Sequence, residues 1–321
     1  MWTFDNVTLV PRKKSTKEHR SACDTSTELC GIKLEVPLIS SPMPDVTGGE
    51  MAGTLISLGA FGIIHRVQTW IEQANEYLKV QAGACAIGVT DDFEERFEML
   101  YANGCRIFCL DTANGFNIKT EEAFNLLKPK YQDTYFIAGN VATAEGYAFL
   151  WSLGVDAIRV GIAGGSVCET KTETGVHMPT LESIREIAKF RWKAGRALDR
   201  GPAIIADGGI RIPADANKAI AAGANAVMCG NVFAGTEETP GSVIKVEDKL
   251  YKLYRGAASF SVQQENGKEP ANKEGKESLV PYKGSVVKIV KRFKEGLQSS
   301  MSYMDAGNLQ EFRGNASIEE L

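Results

Sequence analysis

The chain has 321 residues, of which 44% are hydrophobic and 24% charged, and its formal net charge is −4. These values are ordinary for a folded globular protein, so they exclude disorder as the main state. A wide nucleic-acid surface is not expected, because phosphate binding needs clustered positive charge. A membrane-spanning helix is not expected either, because no run of about 18 apolar residues occurs.

The seven cysteines and three histidines are scattered along the chain, and no Cys-x-x-Cys pair occurs. Neither a disulfide framework nor a zinc site is therefore expected. The first residues are followed by a basic run at 12–14 and lack the basic-then-apolar order of a signal peptide. Together these features favour a reducing cytoplasm as the location of the protein.

A helix end, a glycine and a short apolar strand recur in that order four times, at 55–65, 99–111, 150–161 and 220–230. Glycine suits the middle position because it accepts a left-handed backbone without a Cβ clash. The strands are continuous apolar runs rather than alternating ones. This pattern is typical of strands that are covered by protein on both faces.

Further strands are predicted at 36–41, 84–89, 135–139 and 203–207, which makes eight in the chain. Helical patterns lie between the strands, for example at 50–58, 69–80, 92–102, 144–152, 181–193 and 214–222. Eight βα units favour an α/β fold with a closed (β/α)8 TIM barrel. The main competitor is an open doubly wound sheet, which is less favoured because no Gly-x-Gly-x-x-Gly fingerprint follows the first strand.

Two segments do not fit the repeat, residues 1–35 and 242–283. The stretch 262–278 within the second is too polar to pack a core, so we predict a mobile surface segment. Such a segment either covers a site at the barrel mouth or is a solvated loop. After it, residues 284–297 have the pattern of an amphipathic helix. We predict one domain over 1–321.

Polar and glycine residues follow the predicted strands at the ends that face the active site of a barrel. A purely structural barrel would not need so polar a set, so we predict a ligand site there. The set comprises Ser41, Pro42, Met43, His65, Asp111, Gly139, Asn140, the loop 161–168, Asp207, Gly208, Gly209, Cys229, Gly230 and Asn231.

The loop 161–168 has the sequence Gly-Ile-Ala-Gly-Gly-Ser-Val-Cys. Its glycines permit tight turns and expose backbone N–H groups to an anion, and Ser166 adds a hydroxyl donor. Cys168 lies in this polar loop, where a thiol can be held as thiolate and act as a nucleophile. The alternative is a bystander cysteine. Three other cysteines lie inside apolar strands and are predicted to be core residues: Cys85, Cys109 and Cys229.

The seventh and eighth strands end in Asp207-Gly208-Gly209 and Gly230-Asn231. The loops after these two strands form the customary phosphate site of a (β/α)8 barrel. Asp207 would then bind ribose hydroxyls, or else cap the turn that follows it.

Asp111 and Asn140 end neighbouring strands, and they either bind a second ligand or serve as caps. His65 ends the second strand, and a single histidine there is more often a hydrogen-bonded structural residue. No partner for His177 can be named from the sequence.

Taken together, these motifs resemble those of the IMP dehydrogenase / GMP reductase family over nearly the whole chain. The resemblance is carried by residues 3–11, 40–47, 138–143, 161–170, 205–211, 233–238, 254–256 and 280–284. It implies a barrel without a regulatory CBS insert, a mobile flap at about 257–280, and a homotetramer. No nucleic acid or membrane partner is expected.

The resemblance also implies a purine-nucleotide substrate, GMP or IMP, whose C2 atom is attacked by Cys168. The implied substrate-binding residues are Ser166, Asp207, Gly208, Gly209, Gly230, Asn231, Tyr254, Arg255 and Gly256. The implied residues for the nicotinamide cofactor are Asp111, Thr112, Ala113 and Asn140. The implied ligands of a monovalent cation such as K⁺ are the backbone carbonyls of Ala163, Gly165 and Cys168.

Two reactions run through a covalent purine–cysteine adduct in that family. Three features favour the reductase, which converts GMP to IMP with NADPH. First, residues 76–84 leave no room for the regulatory insert. Second, residues 256–283 lack the adjacent Arg-Tyr pair of a dehydrogenase flap. Third, the segments 111–115 and 274–276 resemble those of the reductase. By the same resemblance, Thr170 and Glu274 manage proton transfer around the leaving amine.

The alternatives are an IMP dehydrogenase without its regulatory module, which would use NAD, a non-catalytic nucleotide-binding barrel, and another barrel enzyme acting on a purine-like nucleotide. The choice between NADPH and NADH stays open, because the sequence places no basic residue securely on a 2′-phosphate.

Overall fold

The structure is a computed structural model and describes residues 1–193, 201–256, 258–265 and 274–321. In this part of the chain, eight parallel strands form a closed barrel in which each strand pairs with the next and the eighth pairs with the first. The strands are Leu38–Ser40, Phe61–Ile64, Ala84–Ile87, Ile107–Asp111, Tyr135–Val141, Ala157–Val160, Ala203–Asp207 and Ala226–Cys229. The predicted (β/α)8 barrel is confirmed, and the open sheet is excluded.

Helices follow the strands and pack on the outside of the barrel. They are Gly49–Ser57, Trp70–Val80, Phe93–Ala102, Ile118–Leu127, Ala144–Leu153, Thr180–Lys193 and Pro213–Ala221, with Val287–Tyr303 after the eighth strand and a short helix, Thr170–Thr174, before Thr180–Lys193. The last long helix, predicted to end at 297, continues to Tyr303 because Met301 extends its buried stripe. Among the described residues, no helix has the length and apolar character needed to span a membrane.

The barrel interior is closed at the N-terminal end of its strands. There, strands Thr27–Leu29 and Ile32–Leu34 form a hairpin, and Leu29 and Leu34 belong to the same buried cluster as the inward-facing strand residues. Cys109 lies in this cluster, and burial raises its pKa to about 12, which fits its predicted core role. Cys85 and Cys229 are buried as well, as predicted. In the part of the chain that the structure describes, access for a ligand is therefore from the opposite end, where the strands finish.

The polar stretch 262–278 was predicted to be too polar to pack against a core, and that prediction is wrong for its described part. Val262 is fully buried on the helix Phe260–Glu265. The strand Glu277–Pro281 pairs antiparallel with Lys249–Arg255, which pairs in turn with Ile244–Val246. Residues 257 and 266–273 of the predicted flap lie outside the described residues.

Candidate active site

A cavity of about 620 Å³ opens at the C-terminal ends of the barrel strands, and its size suits a nucleotide-sized ligand. It is lined by the residues predicted to bind or react with the ligands, except Arg255, His65 and Gly139, which are not among the described lining residues. The predicted catalytic, phosphate-side and cofactor-side residues therefore come together around one space. His177 also lines it.

The three residues predicted to be catalytic form a hydrogen-bonded chain. The thiol of Cys168 lies 3.3 Å from Thr170 Oγ1, and this hydroxyl donates to Glu274 Oε2 at 2.6 Å. A proton can therefore pass between the sulfur and the carboxylate through one hydroxyl group. Cys168 is partly exposed to the cavity, unlike the other cysteines of the described chain, which are buried.

Backbone hydrogen bonds attach the segment that carries Glu274 to the cysteine loop. Glu169 N–H donates to the carbonyl of Glu274 at 2.8 Å, and Lys276 N–H donates to the carbonyl of Val167 at 2.8 Å. The Glu169 carboxylate is paired with Lys276 Nζ at 3.1 Å. These contacts hold Glu274 beside Thr170, although more than a hundred residues separate them in sequence.

A buried arginine joins the two sides of the cavity. Arg159 donates through Nε and Nη2 to Asp207 Oδ2, at 3.0 and 2.9 Å, and through Nη1 to Asp111 Oδ1. Asp111 also accepts from Arg66 Nε at 3.3 Å. Asn140 Nδ2 donates to Asp207 Oδ2 at 2.8 Å. Asp111, Asn140 and Asp207 therefore form one connected polar network rather than separate caps.

Burial alone would raise the pKa of Asp111, but the guanidinium groups of Arg159 and Arg66 outweigh this effect and hold the pKa below its ordinary value. Asp111 is therefore an anion at neutral pH. The sequence interpretation missed both arginines. The available signal was Arg159 itself, a charged residue in the otherwise apolar four-residue strand Ala157–Val160.

At the predicted phosphate site, glycine residues allow the backbone to lie close to neighbouring groups. Gly208 and Gly209 have φ values of 93° and 80°, which glycine adopts without strain. A Cβ atom on Gly230 would lie 2.7 Å from the Tyr254 hydroxyl, so glycine is needed there to leave room for the ring. Burial raises the pKa of Tyr254 to about 12, and its hydroxyl donates to Met43 Sδ at 3.9 Å. Tyr254 is therefore a neutral donor at the cavity wall.

Gly161, at the start of the cysteine loop, packs closely against the backbone of the strand that ends at Asp207. Its φ is 143°, and a Cβ atom there would stand 2.0 Å from the Asp207 carbonyl oxygen. We predict that Gly161→Ala lowers the free energy of unfolding by about 3 kcal/mol, from strain and overpacking combined. Gly154→Ala is the matched control, since its φ is 95° but no described atom lies within 4 Å. It should cost about 1 kcal/mol in urea denaturation, and equal losses for the two variants would contradict the packing argument.

Arg255 and His65 have other partners. Arg255 forms two hydrogen bonds of 2.8 Å with the Asp45 carboxylate, so its predicted role in substrate binding stays a prediction. His65 is buried, and its Nδ1 accepts from Val67 N–H at 3.1 Å. Burial lowers the pKa of His65 to about 4, which fits the structural role predicted for it.

Within the described residues, no group of three or more His, Cys, Asp or Glu side chains is arranged to hold a metal ion. A cation at this site would therefore have to use backbone carbonyls. On the predicted loop, Ala163 has a left-handed backbone with φ 60°, and the Gly165 carbonyl accepts from Cys168 N–H at 3.1 Å. A carbonyl oxygen retains a second lone pair, so these atoms stay compatible with a cation.

Comparison with known proteins identifies the family. Residues 1–321 match the model of the IMP dehydrogenase / GMP reductase domain, and the chain belongs to this family. The chain is 37% identical to the GMP reductase of Chromobacterium violaceum, over 97% of this chain and 95% of that protein. It is 31% identical to the inosine-5′-monophosphate dehydrogenase of Borreliella burgdorferi, over 99% of this chain and 93% of that protein.

The inosine-5′-monophosphate dehydrogenase of Nitrosopumilus maritimus is 38% identical over 73% of this chain, and the match spans about half (50%) of that protein. The relatives are thus named as a reductase and as dehydrogenases. The predicted class of enzyme, an oxidoreductase, and the resemblance drawn from the motifs are both confirmed.

Proposed function

We propose that this protein is a GMP reductase, which converts GMP and NADPH to IMP, ammonia and NADP⁺. The observation that carries the proposal is the Cys168–Thr170–Glu274 chain, with its distances of 3.3 and 2.6 Å, at the wall of the cavity. The GMP reductase relative also matches nearly the full length of both chains.

The three residues account for the deamination half of the reaction. The Cys168 proton moves through Thr170 to Glu274 as the sulfur forms a bond to C2 of the purine. The C2–N bond then breaks, and Glu274 returns the proton to the amine, which leaves as ammonia. Reduced nicotinamide, when bound, supplies the hydride that replaces sulfur at C2.

The far end of the network fits a nicotinamide group. Asn140 Oδ1 is buried, and no hydrogen-bond partner for it occurs in the described part of the chain. An unpaired buried acceptor is costly unless a ligand donor completes it, and a carboxamide N–H is such a donor. Asp111, Thr112 and Ala113 line the cavity beside it and would hold the cofactor with Asn140.

The second candidate function is that of an IMP dehydrogenase, because several relatives at 31% to 38% identity carry that name. The reductase is favoured by the position of Glu274, and by the helix Trp70–Val80 passing directly into the strand Ala84–Ile87 with no room for an inserted module. A non-catalytic barrel has less support, since it would not need the Cys168–Thr170–Glu274 chain.

One assay distinguishes the reductase from the dehydrogenase. It supplies GMP with NADPH in one reaction and IMP with NAD⁺ in the other, and follows absorbance at the nicotinamide band. We expect NADPH consumption with GMP, with ammonia and IMP formed in equal amounts. NADH production from IMP would instead identify a dehydrogenase. Nucleotide binding without turnover in either reaction would identify a non-catalytic protein.

Four further features are part of the proposal. The preference for NADPH over NADH follows the reductase assignment, and K⁺ would be held by the carbonyls of Ala163, Gly165 and Cys168. Residues 1–321 would act as one catalytic domain. The protein would be a homotetramer, which the family resemblance supports. It would be located in the cytoplasm, which is supported by cysteines that are all free in the described chain.

A further inference from the structure

We propose that the N-terminal strap, residues 2–5, positions the loop Asp207–Gly209 for the 5′-phosphate of the substrate, and that Phe4 is the residue through which it acts. This inference rests on the proposed function, since it concerns the nucleotide bound in the same cavity. Phe4 is a positioning residue here, because its effect on the phosphate is transmitted through the loop.

The contact between the strap and the loop is made by an aromatic ring over a glycine. Phe4 is 8% exposed and belongs to the main buried cluster of the barrel. A Cβ atom built on Gly209 would lie 3.1 Å from Phe4 Cε2 and 3.3 Å from Cδ2. The ring therefore packs directly against the position that a Cβ atom of Gly209 would take. Gly209 has no side chain of its own to fix the loop, and the ring supplies that packing.

The strap is anchored to the same part of the barrel that carries the loop. Lys218 Nζ donates to the carbonyl of Phe4 at 2.7 Å, and the guanidinium of Arg211 pairs with the Asp5 carboxylate. Lys218 lies on the helix Pro213–Ala221, which follows the loop directly, and Arg211 lies between the two. Arg211 N–H also donates to Asp215 Oδ2 at 2.9 Å, at the start of that helix.

Glycines with φ near +80° or +90° are useful in phosphate loops because their N–H groups can be directed at an anion, but they are also the most mobile residues when unsupported. Phe4 packs on this loop and lines the same cavity. Without the ring, the free loop should adopt more conformations, so phosphate binding should cost more conformational entropy. The expected cost falls on affinity for the phosphate group, and the reacting atoms at Cys168 are unaffected.

The chain offers a matched control in the same strap. The Trp2 ring stacks against Arg185 at 4.6 Å, and the Trp2 backbone N–H donates to Glu182 Oε2 at 2.6 Å, with both partners on the helix Thr180–Lys193. Trp2→Ala removes a large ring from the strap without removing the ring over Gly209. A general loosening of the strap should affect both variants, whereas the proposed contact requires Phe4.

The test measures the binding of GMP and of guanosine to the full-length protein by calorimetry, with Phe4→Ala, Phe4→Leu, Lys218→Met and Trp2→Ala compared with wild type. We expect Phe4→Ala to weaken GMP binding about tenfold, with guanosine binding changed less than about twofold, since guanosine has no phosphate. Phe4→Leu and Lys218→Met should show smaller losses in the same direction, and Trp2→Ala should bind GMP as wild type does. In turnover, Phe4→Ala should raise KM for GMP while kcat falls less than about threefold.

The positioning role would be overturned if Phe4→Ala weakened the binding of GMP and of guanosine equally. It would also be overturned if a folded Phe4→Ala or Lys218→Met variant bound GMP with wild-type affinity. If Phe4→Ala does not fold, the ratio of GMP to guanosine affinity in Phe4→Leu and Lys218→Met decides. Failure of the proposed function has a different signature: wild type would consume no NADPH with GMP, whatever affinities the variants show. If the protein proves to be a dehydrogenase, the same comparison is made with IMP and inosine.

Discussion

Cys168→Ala should abolish the conversion of GMP while leaving GMP affinity within about tenfold of wild type. In the proposed reaction the sulfur acts by forming a bond, whereas the loops predicted to bind the nucleotide, around Gly209, Gly230 and Tyr254, would hold it in the ground state. Thr170 and Glu274 cannot compensate, because they only move a proton to and from that sulfur. The measurement is a steady-state rate together with calorimetric GMP binding.

The control is Cys23→Ala, which removes a buried thiol away from the cavity-lining residues. It should keep wild-type turnover. A second readout is a protein–nucleotide conjugate trapped at Cys168 with substrate and detected by mass spectrometry. Turnover retained by Cys168→Ala would remove the covalent step from the mechanism.

The features that local sequence predicted are those that repeat. Four of the eight barrel strands follow a helix end and a glycine, and all eight are mainly apolar. Closure of the barrel brings the ends of these strands together whatever the loop sequences are. This is why Asp111, Asn140, Cys168 and Asp207 were found as strand-end residues and line one cavity. The nature of each ligand came from the family resemblance, because geometry alone does not distinguish one nucleotide from another.

The features that were missed depend on partners distant in sequence. The strand Glu277–Pro281 is short and largely exposed, and it forms by pairing with Lys249–Arg255. The strap shows the same dependence, since Phe4 packs on Gly209 more than two hundred residues away. Long-range pairing and packing leave no periodic signal in a single sequence.

Arg159 was missed for a different reason. Its neighbours in the strand are apolar, so the strand pattern was assigned correctly while the charge inside it was overlooked. A buried cation needs anions within reach, and the two carboxylates that satisfy it come from the neighbouring seventh strand and from the fourth strand, which is two strands away. The two predicted ligand sites are therefore connected through one side chain, a link that cannot be read from strand ends alone.

Arg159→Leu should lower the free energy of unfolding by about 3–5 kcal/mol at neutral pH, because it leaves two largely buried carboxylates without their shared cation. The side chain of Arg159 is 8% exposed, and those of Asp111 and Asp207 are 17% and 12% exposed. Arg12→Leu is the matched control, since its pair with Glu319 is 62% and 39% exposed and should contribute less than about 1 kcal/mol. Urea denaturation of both variants measures the difference.

The loss should also depend on pH in a defined direction. In wild type the pKa of Asp111 is held below its ordinary value, so its contribution to stability is complete above that value and is lost as pH falls through the folded-state pKa. Without Arg159 the Asp111 pKa rises, and protonation then relieves the uncompensated charge. The gap between wild type and Arg159→Leu should therefore be largest near pH 7 and narrow toward about pH 4. A gap that stays constant over this range would show that Arg159 stabilises the barrel by packing alone, and that the carboxylates on the substrate and cofactor sides are not coupled through its charge.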